Sequence, residues 1–184
     1  MINSYEVKQI TSKSSNSMLI LLKGEAKGLK VAPRWPSSKV LIEENVFLKL
    51  LEVQSKLPSS IKLLLVRGYE NKSSRLGMFR HISRWLGIKL FCTCYPRRKS
   101  EVDDIFGSNG HDVDGSHVDV SIVLDGKRLR FLPLGVFTSL SLQHSRTEEH
   151  LTVIKLVKGA LEQCDFSIHH NQTESMQIHC DYNG

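Results

Sequence analysis

The amino-acid sequence predicts an α+β protein in which helices pack on a small, mainly antiparallel sheet. Short apolar or alternating segments occur along the chain, and Asp125-Gly126 is a typical hairpin turn between two of them. Three longer segments repeat their apolar residues at helical spacing. The alternating segments 166–169 and 176–180, joined by a polar turn at Asn171-Gln172, predict a closing hairpin.

Length and composition predict a single domain, 1–184, that can bury one sizeable core. The chain is 40% hydrophobic and 24% charged, which is ordinary for a globular protein. Residues 1–16 are rich in Ser, Asn and Lys, so we expect them to be loosely held. The net charge of +6 comes partly from Arg97-Arg98-Lys99, which we interpret as a solvated loop. Because no nucleic-acid-binding motif accompanies these cations, we expect no nucleic-acid partner.

The sequence also carries expectations about cellular location. No apolar run approaches the roughly 18 residues that a membrane span needs, and the short run at 18–22 has no cleavage signal after it. The four cysteines lack the spacing of zinc ribbons or redox motifs. We therefore expect reduced thiols and a cytoplasmic protein. The oligomeric state is not predicted.

The first third of the chain predicts two strands and a helix. A strand is expected at 17–22, and irregular structure at 24–38, which contains two Gly and two Pro. Apolar residues recur at helical spacing over 41–57 and Pro58 follows, which predicts a helix. The continuous apolar run 61–66 predicts a buried strand.

The middle of the chain predicts a second helix from Ser73 or Ser74 to about Leu86, ended by Gly87. Its expected buried side consists of Leu76, Met78, Phe79, Ile82 and Trp85. A strand is expected at 88–92. The polar stretch 95–110 is expected at the surface or at the rim of a site.

The last third predicts a strand at 117–124, the Asp125-Gly126 turn and a partner strand at 129–132. Residues 134–146 predict a loop. Thr147 is expected to open a third helix that extends to about Gln163, with acidic residues in its first turn.

Histidines and carboxylates are concentrated in residues 110–122. In a strand, side chains at i and i+2 share a face, so His117 and Asp119 would point to the same side. An imidazole beside a carboxylate suits a divalent transition metal, above all zinc. The alternative is a polar turn followed by a strand whose exposed face carries His and Asp.

The segment Gly115–Ile122 resembles part of a motif of the zinc D-Ala-D-Ala metallopeptidases, and among them the D-alanyl-D-alanine dipeptidases. Those enzymes carry Ser-x-His-x-x-Gly-x-Ala-x-Asp before an apolar strand and Glu-x-x-His near the C-terminus. His179, sixty residues after Asp119, is similar to the C-terminal histidine. Arg67-Gly68-Tyr69 is similar to an upstream segment that bears an arginine in the family. The resemblance covers residues 40–182.

The resemblance implies the fold of that family and a metal-dependent peptidase or amidase acting on a small peptide or amide. It implies a metal site made by Asp119, His179 and either His117 or Asp112. Two nitrogen ligands and one oxygen ligand favour Zn²⁺, whereas two carboxylates would also accept Mn²⁺ or Fe²⁺. Three protein ligands leave a position open for water.

The chain departs from the family at the positions that carry the chemistry. The first histidine ligand is replaced by Asp112, and the glutamate three residues before His179 is replaced by Met176. Glu70 stands where the family has its arginine, while Arg67 stands where it has an aspartate. Met176 cannot act as a base, so Glu174 or Glu70 would have to do so, with Arg67 as the candidate cation. The alternatives are a binding or regulatory module without hydrolysis, and a metal site reused for a non-hydrolytic reaction.

Overall fold

A computed structural model describes residues 10–11, 18–35, 37–69, 75–102, 115–129, 140–169 and 177–184 of the chain. It shows a mixed α+β protein with a mostly antiparallel sheet, as the sequence predicts. The strands are β1 (Ile10–Thr11), β2 (Met18–Leu22), β3 (Gly24–Ala26), β4 (Leu29–Val31), β5 (Val40–Glu43), β6 (Ile61–Arg67), β7 (His117–Leu124), β8 (Lys127–Arg128), β9 (Phe166–Ile168) and β10 (Gln177–Tyr182). The helices are α1 (Glu44–Lys56), α2 (Arg75–Cys94), a 3-10 helix (Pro96–Glu101), α3 (Leu140–Glu149) and α4 (Leu151–Glu162).

The described strands form two sheets. The larger has seven strands in the order β3-β4-β6-β7-β10-β9, with β8 paired to β7, and the smaller has the order β1-β2-β5. The pairing of β4 with β6 is parallel, and the other described pairings are antiparallel. β7 therefore lies at the centre of the larger sheet, between β6 and β10.

The main core lies between one face of the larger sheet and the helices α1 and α4. Apolar residues recur every three or four positions on both helices, so each presents one apolar stripe to the sheet. The buried helical residues are Val46, Phe47, Leu50, Val53, Ile154, Val157, Ala160 and Leu161. They pack with Val118, Val120 and Ile122 of β7 and with Ile178 of β10. This packing fixes which face of β7 points away from the helices.

Gly115 lies two residues before β7 and packs against strands β2 and β5 of the smaller sheet. Its φ of +91° lies in the region that only glycine adopts without strain. A Cβ there would come within 2.6 Å of Leu19 Cδ2 and 3.2 Å of the Glu43 nitrogen. The Glu43 N–H also donates a hydrogen bond to the Gly115 carbonyl at 3.2 Å. Glycine at this position therefore lets the chain pass closely under β5 and enter β7 in a fixed register.

Three predicted strands are confirmed, namely β2, β6 and β7, whose bounds differ from the expected ones by no more than a residue. The closing hairpin is confirmed for its described strands, since β10 pairs with β9 in antiparallel register. Of residues 1–16, expected to be loosely held, Ile10 and Thr11 are described and pair with β2.

The prediction of irregular structure at 24–38 is wrong for its first half. β3 and β4 form a hairpin around Lys27 and Gly28, which both have positive φ. Two such residues are what a type I′ turn requires, so Gly28 marks a tight hairpin rather than a loop. The helix predicted at 41–57 begins at Glu44 instead, because residues 41–43 belong to strand β5 and pair with β2.

The prediction that Gly87 ends the second helix is wrong. α2 continues through this residue to Cys94, so the strand expected at 88–92 is helical. A glycine inside a helix costs only about 1 kcal/mol relative to alanine, which the surrounding helix formers offset. Met78, Phe79, Ile82 and Trp85, expected on the buried side, are exposed.

The loop predicted at 134–146 is helical from residue 140 onwards. α3 extends from Leu140 to Glu149, so Thr147 lies inside it and does not open a helix. α3 ends before His150, whose backbone is not helical, and α4 begins after it. Of the strand expected at 129–132 only Leu129 is described; it follows β8 (Lys127–Arg128), and its N–H donates a hydrogen bond to the Ile122 carbonyl of β7 at 2.8 Å. Residues 130–139 lie outside the described part.

The four cysteines, Cys92, Cys94, Cys164 and Cys180, are free thiols. Within the described ranges, none of the helices combines the length and the apolar character that crossing a membrane requires.

Candidate metal centre

The site begins with the alternation of β7. Its sequence, His-Val-Asp-Val-Ser-Ile-Val-Leu, places His117, Asp119 and Ser121 on the face opposite Val118 and Val120. All five residues are buried, and Asp119 is completely so. Burial of a carboxylate is costly unless it is paired and hydrogen-bonded, so Asp119 requires partners on this face.

The partners come from β10, which lies antiparallel to β7. The register pairs His117 with Asp181, Asp119 with His179, and Ser121 with Gln177. Residues directly opposite each other in such a pair have neighbouring side chains on the same face. One register therefore brings two histidines, two aspartates and a glutamine onto one face of the sheet.

A first triad forms around Asp119. Its Oδ1 atom lies 2.6 Å from His179 Nδ1 and 3.3 Å from His117 Nε2. Its Oδ2 atom accepts a hydrogen bond from Gln177 Nε2 at 2.7 Å. One ligand atom from each of His117, Asp119 and His179 can be chosen so that all three lie within 4.8 Å of one another. This triad brings together three of the four residues that the sequence predicts as metal ligands, and the fourth, Asp112, lies outside the described residues.

A second triad shares His117 with the first. His117 Nδ1 lies 2.7 Å from Asp181 Oδ1, and His169 Nε2 lies 2.6 Å from Asp181 Oδ2. His169 directly follows β9, and its backbone N–H donates to the His179 carbonyl at 2.9 Å. These three residues also offer ligand atoms within 4.8 Å of one another. We refer to the two triads together, His169–Asp181–His117–Asp119–His179, as the His/Asp network.

The network keeps both carboxyl groups ionised. Burial alone would raise the pKa of Asp119, but hydrogen bonds from His117 and His179 and the positive charge of Arg67 outweigh it and hold that pKa far below its ordinary value. Burial likewise acts to raise the pKa of Asp181, and hydrogen bonds from His117 and His169 overcome it and lower the pKa. Ionised carboxylates are the form that binds metal.

Arg67 is the last residue of β6, which pairs with β7 on the edge opposite β10. A register irregularity between Leu65 and Arg67 shifts the pairing, so that Arg67 lies opposite Asp119. Its charge contributes to the lowered pKa of Asp119. Arg67, the cation that the sequence singles out, therefore lies beside the first triad.

The residues present fit a zinc ion. Ligand atoms bound at about 2.0–2.2 Å to a tetrahedral zinc lie about 3.3 Å from each other, which is the separation between His117 Nε2 and Asp119 Oδ1. The contact between His179 and Asp119 is shorter, at 2.6 Å, and would have to open. The His179 side chain is 34% exposed, which leaves it room to turn. Two nitrogen donors and one oxygen donor form a common set for catalytic zinc.

The structure thus brings together four residues that the sequence singles out: His117, Asp119, His179 and Arg67. The other three candidates, Asp112, Glu70 and Glu174, lie outside the described residues, as does Met176. Their predicted roles stay predictions.

Sequence reasoning missed Asp181 and Gln177 and did not place His169 in the site. The signal for the first two is the alternation of β10, since Gln177 and Asp181 lie two residues before and after His179. Applying to β10 the rule already applied to β7 would have found them. His169 reaches the network through the register in which β9 pairs with β10, and local sequence predicts the hairpin but not this register.

Comparison of the whole chain with known protein families and with curated proteins finds no match to either. The similarity to D-Ala-D-Ala metallopeptidases therefore rests on the motifs quoted above, and membership of that family stays a prediction.

Proposed function

We propose that this protein is a divergent metal-dependent peptidase or amidase, similar in fold and site to the D-Ala-D-Ala dipeptidases, that acts on a small peptide or amide. The observation that carries the proposal is the direct pairing of Asp119 with His179 across β7 and β10. These are the two residues that correspond, by motif, to the aspartate and the C-terminal histidine that hold zinc in that family. Gly115, constrained by its positive φ, stands where the motif has glycine.

In this proposal His117, Asp119 and His179 hold the metal, and Gln177 fixes the orientation of the Asp119 carboxylate through its second oxygen. His117 replaces the histidine that the family carries at the position of Asp112. Zn²⁺ is the ion that this donor set favours, with Mn²⁺ or Fe²⁺ as alternatives. When bound, such an ion supplies a Lewis acid that polarises an amide carbonyl and acidifies water.

Arg67 has two roles in the proposed site. Its positive charge helps to keep Asp119 ionised. In the proposal, its charge also stabilises the negative charge that develops on a carbonyl oxygen during hydrolysis, and its register position opposite Asp119 supports this role. The family arginine follows the tyrosine of the upstream segment, whereas Arg67 precedes Tyr69 by two residues. The proposal assigns the same electrostatic role to this shifted position.

Hydrolysis also needs a base, and the candidates are Glu174 and Glu70. One specific observation favours a second function, a binding or regulatory module: Met176 stands at the position of the family glutamate. In addition, both carboxylates of the His/Asp network already accept hydrogen bonds from histidines. A metal site reused for a non-hydrolytic reaction is the remaining alternative.

Metal content and hydrolysis test these functions together. We would purify the protein without chelators or a metal-binding tag and count Zn, Mn and Fe per chain in wild type, Asp119→Asn and His179→Ala. His144→Ala, which changes an exposed histidine of α3, is the matched control. We expect the ion content to fall by one per chain in both site variants and to stay unchanged in the control. Wild-type protein that binds no metal even with added zinc would contradict the proposal.

A panel of dipeptides and amides, including D-Ala-D-Ala, then separates the peptidase from the binding module. Turnover that disappears in Asp119→Asn and falls at least about 100-fold in either Glu174→Gln or Glu70→Gln supports the peptidase. Bound metal without turnover of any substrate in the panel favours the binding module.

A further inference from the structure

We propose that the second triad, His117, His169 and Asp181, binds a second divalent metal ion, with the imidazole of His117 bridging the two ions. The bridge rests on the proposed first site, because the two triads share His117. Two nitrogen donors and one oxygen donor again favour Zn²⁺.

The contacts of Asp181 support this site. Each of its carboxylate oxygens faces a different histidine nitrogen, at 2.7 Å from His117 and 2.6 Å from His169. Nitrogen and oxygen atoms converge here as they do in the first triad. The side chains of Asp181 and His169 are 28% and 41% exposed, so an ion can reach them from solvent.

The position of His117 supports the bridge. Its Nδ1 atom faces Asp181 and its Nε2 atom faces Asp119, and the ring is buried between them. His117 can donate to both carboxylates only as the doubly protonated imidazolium. An ion at each nitrogen replaces both N–H groups, and the two ring protons leave to solvent. Asp119, Asp181 and the deprotonated ring then supply three negative charges to two dications.

The test is the number of zinc ions bound per chain, measured by titration and by elemental analysis of dialysed protein. All proteins carry Cys92→Ser and Cys94→Ser, because these free thiols at the end of α2 can bind zinc themselves. We expect two ions in this background, one in His169→Ala, one in His179→Ala and none in the double variant. His169 is partly exposed, so its replacement should leave the fold intact, which circular dichroism checks.

The outcomes separate this proposal from the proposed function. If one ion binds and only His179→Ala removes it, the second site is overturned, Asp181 merely orients His117, and the first site stands. If His179→Ala leaves the ion content unchanged, the first site and the shared arrangement both fail. Cu²⁺ adds an independent readout, since two ions joined by one imidazole couple magnetically. We expect this coupling in the Cys92→Ser/Cys94→Ser background and its loss when His169→Ala is added.

A second inference rests on a different part of the molecule, the outward face of α2. Six large apolar side chains on it are between 43% and 60% exposed: Met78, Phe79, Ile82, Trp85, Leu86 and Leu90. At 3.6 residues per turn they occupy one arc of about 140° around the helix. Gly77, Ile88 and Phe91, on the other side, are half-buried or buried. α2 therefore turns an arc of large apolar side chains outward, the reverse of a helix in contact only with water.

We infer that this face, which we call the α2 apolar face, lies on the surface of an anionic lipid bilayer. Charge supports this occupant, because residues 75–100 contain seven Lys or Arg and no Asp or Glu. Trp35, 77% exposed, packs edge-on against Phe79 and extends the apolar area. Lys89 Nζ lies 4.1 Å from the centre of the Trp85 ring, so a cation accompanies a tryptophan on this face. Helices that lie in a membrane interface combine Trp, Phe and Leu with Lys and Arg in this way.

Vesicle co-sedimentation tests the inference, with vesicles of phosphatidylcholine alone or mixed with phosphatidylglycerol. We expect the full chain to bind the mixed vesicles and salt to release it. The affinity for these vesicles should fall at least about tenfold in the Trp85→Gln/Leu86→Gln variant. Leu156→Gln, which changes a leucine of α4 that is 45% exposed, is the control and should bind as wild type does.

Binding that is absent, or equal in the Trp85→Gln/Leu86→Gln and control variants, would overturn the inference. A dimer in solution that this variant dissociates would assign the α2 apolar face to a second copy of the chain instead, and would also overturn it.

Discussion

The two faces of β7 are equally buried but differ in chemistry. Val118, Val120 and Ile122 pack against the helices, whereas His117, Asp119 and Ser121 meet polar partners from β10 and β8. Burial of the apolar face stabilises the fold at roughly 25 cal/mol per Å². Burial of the polar face costs free energy that hydrogen bonds only offset. The comparison teaches that the apolar face accounts for stability, while the polar face is explained by the chemistry proposed for it.

The largest expected change in the free energy of unfolding is at the apolar face of β7. Ile122→Ala removes a fully buried side chain from the core and should lower the free energy of unfolding by about 2–5 kcal/mol. Chemical denaturation of metal-free protein measures this change. Zinc affinity should stay within about threefold of wild type in the folded variant, since the polar face is untouched. A large loss of affinity would show that the two faces are coupled.

The next largest effect is the stabilisation that bound zinc confers through the polar face of β7. Each zinc ion at about 100 times its dissociation constant should raise the free energy of unfolding by about 2.7 kcal/mol, because the ion binds only the folded state. The total increment should be the same in wild type and Ile122→Ala and smaller by one such step in Asp119→Asn, which lacks the charged ligand of the first triad. Thermal denaturation with and without zinc measures it. An equal increment in Asp119→Asn would place the ion outside the first triad.

A smaller effect is expected at Gln177. Its amide donates to Asp119 Oδ2 and so directs Oδ1 towards the histidines. Gln177→Ala should weaken zinc binding by about 10–100-fold, which is the usual loss when a group that orients a ligand is removed. Competition with a chromophoric chelator measures the affinity. Unchanged affinity would mean that the histidines alone orient Asp119.

The smallest effect is expected at Ser121, which lies on the polar face but outside the His/Asp network. Its Oγ atom accepts a hydrogen bond from Arg128 Nη2 at 3.0 Å. Ser121→Ala should lower the free energy of unfolding by about 0.5–1.5 kcal/mol and leave zinc affinity unchanged, so it serves as the neighbouring control for Gln177→Ala. A loss of zinc affinity here would extend the metal site along β7.

Part of the fold and of the site could be predicted because local sequence encodes it. β6 is a continuous apolar run, and β7 alternates with a period of two, which also predicts that His117 and Asp119 share a face. The pairing of Asp119 with His179 was expected only through the resemblance to a family. It could not follow from either strand alone, because the register depends on how β7 and β10 meet.

The errors have physical causes too. Gly28 and Gly87 were both interpreted as breaks, yet one makes a hairpin turn and the other lies inside α2. The buried side of α2 was assigned from its apolar residues, on the assumption that apolar side chains face the core. The structure exposes Phe79 and Trp85 instead, and this reversal gives rise to the α2 apolar face.

By itself, the sequence determined the α+β class, the central strands and a face of β7 that carries His117 and Asp119, since these depend on local periodicity. The tertiary structure decided the rest of the site. It placed Asp181 beside the Nδ1 atom of His117, His169 beside Asp181, and Arg67 opposite Asp119. The reason is that a metal site depends on distances of a few ångströms between strands far apart in sequence, and only the register of the folded sheet sets those distances.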